Sequence, residues 1–116
     1  MDKISVTIAT GASLSGASIA LPEGLSLVGF ETDAEWDANA VSFQGLSTDG
    51  STWKNIYTKD ALGGEYLTGS VAASTYTPID PAVFYGKKSF KFRSGTSATP
   101  VNQSGATTIN LVFASL

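Results

Sequence analysis

The chain contains no histidine and no cysteine. Imidazole bases, thiolate nucleophiles and the usual protein ligands of zinc and copper are therefore excluded. Disulfides are excluded too, so the fold must rest on packing, and cysteine usage gives no clue to the redox compartment. No apolar run approaches the roughly 18–20 residues of a membrane-spanning helix. Met1-Asp2-Lys3-Ile4-Ser5 has none of the basic-then-apolar plan of a signal peptide, so the chain reads as one made in a cytoplasm and not exported by the general route. Helix signals are confined to Lys59–Leu62 and the stretch from Asp33 to Asn39. No serine sits in a Gly-x-Ser-x-Gly elbow, and Gly11-Ala12-Ser13-Leu14-Ser15-Gly16 lacks the Gly-Lys-Ser/Thr that completes a phosphate loop. These absences favour binding, assembly or scaffolding over chemistry: the expectation is a protein that is not an enzyme and takes no cofactor.

What is present is small, polar and strand-forming. Serine and threonine supply 28 of 116 residues and glycine 12, which is the composition of a β-protein rich in turns. Alternation of apolar and polar residues marks strands at Lys3–Ala9, Ala40–Leu46, Trp53–Thr58, Glu65–Val71, Ser74–Ile79, Lys87–Ser94 and Thr107–Phe113, the last with Ile109, Leu111 and Phe113 facing inward. Ser18–Leu21 is a shorter piece stopped by Pro22. Leu25–Thr32 is apolar on both faces, with Leu25, Leu27 and Gly29 on one and Val28 and Phe30 on the other, as expected of a strand between two covering layers. Asp49-Gly50 is the strongest hairpin signal, because glycine supplies the positive φ such turns need. Asp80 before Pro81 reads as the cap of a single turn, Pro81–Tyr85, closed by Gly86. Seven to nine strands spaced about ten residues apart predict an all-β fold, a single antiparallel β-sandwich or jelly roll. Residues 1–116 form one domain, with 1–17 a flexible N-terminal arm or an edge strand.

The net charge of −3 is unevenly spread. Residues 1–86 hold all ten acidic side chains and only three lysines, while residues 87–93 hold Lys87, Lys88, Lys91 and Arg93. Lys91 and Arg93 alternate with Phe90 and Phe92, so this segment reads first as a strand with one wet and one buried face. An acidic protein partner is the second reading, and an acidic chain of pI about 4.6 argues against nucleic acid. Glu31, Asp33, Glu35 and Asp37 stand at every second position, a solvated acidic rim in the plain reading and oxygen ligands for Ca²⁺ in the alternative. Trp53, directly after the hairpin turn, is expected in the core, whereas Trp36 in the acidic loop is the candidate for exposure as an interface anchor. With nearby tyrosines Trp36 is also the candidate for stacking on a sugar. The partner-binding candidates are therefore Trp36 with Asp33, Glu35 and Asp37, and separately Lys87, Lys88 and Lys91. Two uncharged stretches, Thr10–Ala17 and Ala106–Leu116, read as an ordinary loop and an ordinary core strand, or else as segments that order on a neighbour.

Ser47-x-Asp49-Gly50-x-x-Trp53, followed by Phe90-Lys91-Phe92-Arg93-Ser94-Gly95, resembles the turn and late strand of discoidin-like, galactose-binding sandwiches. Ala40-Val41-Ser42-Phe43-Gln44, Ile79-Asp80-Pro81-Ala82-x-Phe84-x-Gly86 and Arg93-Ser94-Gly95-Thr96-x-x-x-Pro100-Val101-Asn102-Gln103 extend the likeness. With them, residues 25–113 resemble more closely a group of small proteins encoded among the virion genes of tailed bacteriophages and prophages. After the Trp53 hairpin such relatives often carry an acidic turn, whereas Lys54, Lys59 and Asp60 mix signs here. The resemblance implies a virion structural protein made in the bacterial host cytoplasm, most directly a capsid decoration protein on the outer face of the shell. Its partners would be the major capsid protein and other copies of itself, a trimer being one such form, with no nucleic acid and no membrane. A tail, collar or head-fibre component is the alternative within that group, and a carbohydrate-binding module the alternative outside it.

Overall fold

A computed structural model of the chain describes residues 2–16, 18–37, 39–57, 64–85 and 87–115. The helix signal at Lys59–Leu62, the closing Gly86, Ala17 and Leu116 lie outside these residues. Among the described residues nine strands are formed: β1 Asp2–Ile8, β2 Ile19–Ala20, β3 Ser26–Thr32, β4 Asn39–Leu46, β5 Trp53–Asn55, β6 Thr68–Val71, β7 Tyr76–Pro78, β8 Ser89–Ser94 and β9 Thr107–Ala114. One antiparallel sheet runs β1-β9-β3-β7; the other runs β2-β8-β4-β5, with β6 also paired to β4. Gln44 pairs with both Lys91 and Asn55, and Val41 with both Ser94 and Thr68, so β5 and β6 follow one another along the edge of β4 that faces away from β8. The architecture is the expected all-β sandwich.

Period-two alternation builds the core from both sheets. Ile109, Leu111 and Phe113 of β9 are fully buried, and Phe90 and Phe92 of β8 join the same core cluster from the opposite sheet. Removing each such side chain from water contributes about 1.5–3 kcal/mol. The aromatic rings interlock chiefly edge to face: Phe43 lies 5.0 Å from Phe84 and 5.5 Å from Phe92, and Phe92 lies 5.0 Å from Phe30.

The strand 26–32 departs from simple alternation. Leu27 pairs with Phe113 but Gly29 with Val112, so Val28 is an extra residue in a bulge. The bulge shifts the phase by one and turns Leu27 and Phe30, an odd and an even position, onto the same buried face. The apolar residues on both sides of this strand therefore reflect a phase change, not two covering layers.

Residues 2–16 form an edge strand and a fastened connection instead of a free arm. Gly11 N–H donates to the Gln103 carbonyl at 2.8 Å, Gln103 N–H to the Ala12 carbonyl at 2.9 Å, and Ser94 N–H to the Ser13 carbonyl at 2.8 Å. The stretch thus ties the edge of one sheet to β8 of the other. The C-terminal segment is an ordinary core strand, paired on one side with β1 and on the other with β3.

Turn chemistry follows the sequence closely. Gly50 has φ 78°, and its N–H reaches the Ser47 carbonyl at 2.9 Å. The Asp49 carboxylate accepts hydrogen bonds from the Ser51 amide, the Thr52 hydroxyl and the Thr52 amide, which hold its pKa at about 2 against an ordinary 3.8. A depressed carboxylate stabilises the fold above the unfolded value and loses that contribution as pH falls through the folded one. Urea midpoints of wild type and Asp49→Asn are therefore expected to differ by a constant amount above about pH 4 and to converge toward pH 2. A gap unchanged across that window would mean that the carboxylate charge plays no part. In the connection that carries the chain from β7 in one sheet to β8 in the other, Asp80 accepts from the Ala82 amide at 3.0 Å and caps a single 3₁₀ turn, Pro81–Phe84.

Candidate partner-binding surfaces

The acidic loop does not present a row of carboxylates. Its chain turns after β3, where Glu35 N–H donates to Asp33 Oδ1 at 3.0 Å. The Asp33 carboxylate also accepts from the Thr107 hydroxyl at 2.6 Å and the Thr108 amide at 2.9 Å, fastening the loop to the start of β9. Burial pushes the Asp33 pKa up, but these three hydrogen bonds outweigh it and hold the group below its ordinary value. Asp37 accepts from the Ser104 amide at 2.7 Å and the Ser104 hydroxyl at 3.1 Å. Its own N–H donates to Gln103 Oε1 at 2.7 Å. Two of the four carboxylates thus serve as caps for the 103–108 connection, while Glu31 and Glu35 face solvent. Among the described residues no three acidic side chains converge on a point where a cation could sit.

Trp36 corrects the expectation of an exposed anchor. It is 3% exposed, its indole N–H donates to the Val71 carbonyl at 3.0 Å, and its ring meets Phe92 edge on at 5.9 Å. The turn between Asp33 and Asp37 forces the intervening tryptophan over the end of the sandwich, where an apolar ring finds more to bury than it loses in solvent. The sugar-stacking platform loses its central member with it. The exposed tyrosines stand apart in the chain: Tyr57 after β5, Tyr76 in β7 and Tyr85 directly after the 3₁₀ turn.

The basic segment divides in two. Lys91 projects from the outer face of its sheet, and its ammonium lies 4.6 Å from the centre of the Trp53 ring, a cation–π contact. Trp53 is accordingly half-buried on that face, not in the core as expected. Lys88 is exposed and Lys87 half-buried. They stand between two grooves, one of about 570 Å³ walled by Leu21, Pro22, Leu25, Phe84 and Tyr85, the other of about 260 Å³ against the Ser47–Gly50 turn. Glu23 sits at the larger groove, so its charge is mixed.

Arg93 is on the outer side of its sheet, as alternation requires, but it is not solvated. It is 5% exposed, and its guanidinium donates to Glu65 at 2.7 Å, to Asn55 Oδ1 at 3.1 Å and, through Nε, to the Ser42 hydroxyl at 2.8 Å. The other Glu65 oxygen accepts from the Ser97 amide at 3.1 Å. Glu65 and the turn beginning at Thr96 therefore cover this part of the sheet, and a residue that reads as wet becomes the centre of a buried polar cluster.

No protein-family model matches the chain, and no curated protein matches it in sequence.

The residues that sequence reasoning overlooked are Ser42, Glu65 and Gln103. Gln103 is 1% exposed; its side-chain amide donates to Ser94 Oγ at 2.8 Å while its oxygen receives the Asp37 amide. Ser42 in turn donates to the Gly95 carbonyl at 2.7 Å. Gly95 itself has φ 89°, and a side chain there would meet the Thr99 carbonyl oxygen at 2.6 Å. The only sequence signal for this cluster was the run Arg93-Ser94-Gly95 with Gln103 nine residues after Ser94, residue types too ordinary to declare burial by themselves.

Proposed function

We propose that the chain is a non-enzymatic virion structural protein of a tailed bacteriophage, a decoration protein that binds the outer face of the capsid shell and stabilises it. The observation that carries this reading is how the motifs behind the resemblance are used. Ala40–Gln44 and Arg93–Gly95 pair as neighbouring strands, with Ser42 opposite Arg93, and Gln103 reaches back to Ser94. Motifs separated by some fifty positions thus stand together in one interlocked frame, which supports reading them as parts of a single fold signature. A decoration protein works by binding, and needs neither the imidazole nor the thiol that this chain lacks. Its partners in this reading are the major capsid protein and further copies of itself, and its place is the capsid surface. Lys87, Lys88 and Lys91 with the adjoining grooves are the surface offered to the shell, with Glu35 a separate acidic contact.

The test is the copy number of this chain in purified particles, measured by quantitative mass spectrometry against the major capsid protein. A simple ratio to the capsid protein, at hundreds of copies, is the expected result. A few copies to a few dozen would reassign the chain to tail, collar or fibre. Absence from particles would overturn the virion reading altogether.

A further inference from the structure

Among the described residues, the free edges of the two sheets are not alike. An edge strand carries unpaired N–H and C=O groups, and proteins that stay monomeric blunt such edges by shortness, proline or charge. Among the described residues, β2 has two residues and is followed at once by Leu21-Pro22; β5 has three and β6 four; β7 has three and ends in Pro78. β1 is different in length and regularity. It runs for seven residues, is paired in unbroken register with β9, contains neither proline nor bulge, and carries its two charges, Asp2 and Lys3, only at its start.

The direction of its free groups follows from one contact. The Thr7 carbonyl accepts from Gly16 N–H at 3.5 Å, off the side away from β9. In an antiparallel strand the N–H and C=O of one residue point the same way, and alternate residues point oppositely. Lys3 and Ser5 therefore also direct both main-chain groups outward, and Thr7 retains its N–H and a second carbonyl lone pair. Their side chains lie on the exposed face, while Ile4 and Val6 are half-buried against the core.

We infer that β1 is a self-association edge, on which β1 of a second copy pairs antiparallel about a two-fold axis at Ser5. The segment is self-complementary in that register. Ser5 meets Ser5, Ile4 meets Val6 and Lys3 meets Thr7, so apolar side chains face apolar ones and no like charges oppose between Lys3 and Thr7. Ile4 and Val6 form a non-hydrogen-bonded pair, the kind that brings side chains closest. The two four-stranded sheets join into one continuous sheet, the isologous arrangement of a two-fold dimer. This edge belongs to the free protein and does not depend on the shell reading: loss of shell binding leaves it intact.

The register gives a test with opposite signs. Thr7 is exposed, so Thr7→Glu and Thr7→Lys leave the core untouched, and each places its new charge opposite Lys3 of the second copy, twice per dimer. By sedimentation equilibrium from micromolar to millimolar chain, with nothing added before Met1, wild type is expected to show a monomer–dimer equilibrium. Thr7→Glu should tighten it about three- to tenfold and Thr7→Lys loosen it by a similar factor, from typical cross-strand pair energies. Wild type that remains monomeric at millimolar concentration overturns the proposal. So does a dimer whose affinity moves the same way, or not at all, in both variants. Cross-linking of Lys3 to a capsid subunit by a chain that stays monomeric would assign the edge to that partner instead.

Discussion

Glu65→Ala is expected to destabilise the domain by about 3–5 kcal/mol, because it strands a charge that the fold has already buried. Arg93 and Glu65 side chains are 6% and 12% exposed, and among the described residues their contact at 2.7 Å is the one ion pair that either makes. Without the carboxylate the guanidinium keeps only two neutral acceptors, Ser42 Oγ and Asn55 Oδ1, and the Ser97 amide loses its acceptor as well. A surface pair would cost about 0–1 kcal/mol on the same change, so the magnitude separates the two situations. A chain of 116 residues has roughly 6–17 kcal/mol to lose, at about 0.05–0.15 kcal/mol per residue. The urea midpoint should therefore fall steeply, with the slope of the transition unchanged. The double variant Glu65→Leu, Arg93→Met removes both charges and should recover a large part of the loss, since burying an ion pair confers little net stability over apolar replacements. A Glu65→Ala loss below about 1 kcal/mol would show that water reaches the guanidinium.

Phe92→Ala should produce a loss of comparable size, about 3–5 kcal/mol, by a different mechanism. The ring is fully buried and touches Phe30 at 5.0 Å, Phe43 at 5.5 Å and Trp36 at 5.9 Å between ring centres, so three aromatic neighbours from both sheets and the acidic loop converge on it. Its removal forfeits the transfer energy and leaves a cavity that three rigid rings cannot close. The backbone contacts of the position survive, because Ser15 bonds both the Phe92 carbonyl, at 2.9 Å, and its amide, at 3.2 Å. Phe92→Leu keeps most of the volume and should cost about 1–2 kcal/mol, within the range of ordinary core substitutions. Trp36 reports the local effect: its emission should shift to the red in the alanine variant and stay near wild type in the leucine variant. Equal midpoints for wild type and Phe92→Ala would place the centre of the core elsewhere.

Most of the strand pattern was legible because the chain signals it with alternation and turn chemistry. Ile109, Leu111 and Phe113 alternate without interruption and are buried as expected; Asp49-Gly50 turns where its φ requirement says it should; Asp80 caps its single turn. The candidate sites were less legible. Asp33 and Asp37 look like exposed charge in sequence, since nothing nearby in the chain says that Thr107, Thr108 and Ser104 will come to meet them from about seventy residues away. Val28 carries no mark of a bulge, so the phase of its strand was read one residue out of step.

Composition and periodicity by themselves determined the class of the fold, the direction in which most strand residues face, and the chemistry that is missing, because each depends on residues adjacent or alternate in the chain. Tertiary structure alone decided which of the outward residues are dry. Arg93 and Trp36 owe their burial to Glu65 and Val71, which come to them from 28 and 35 residues away. Whether a polar side chain on a sheet face meets water depends on what the rest of the chain lays across that face, and local alternation carries no record of it.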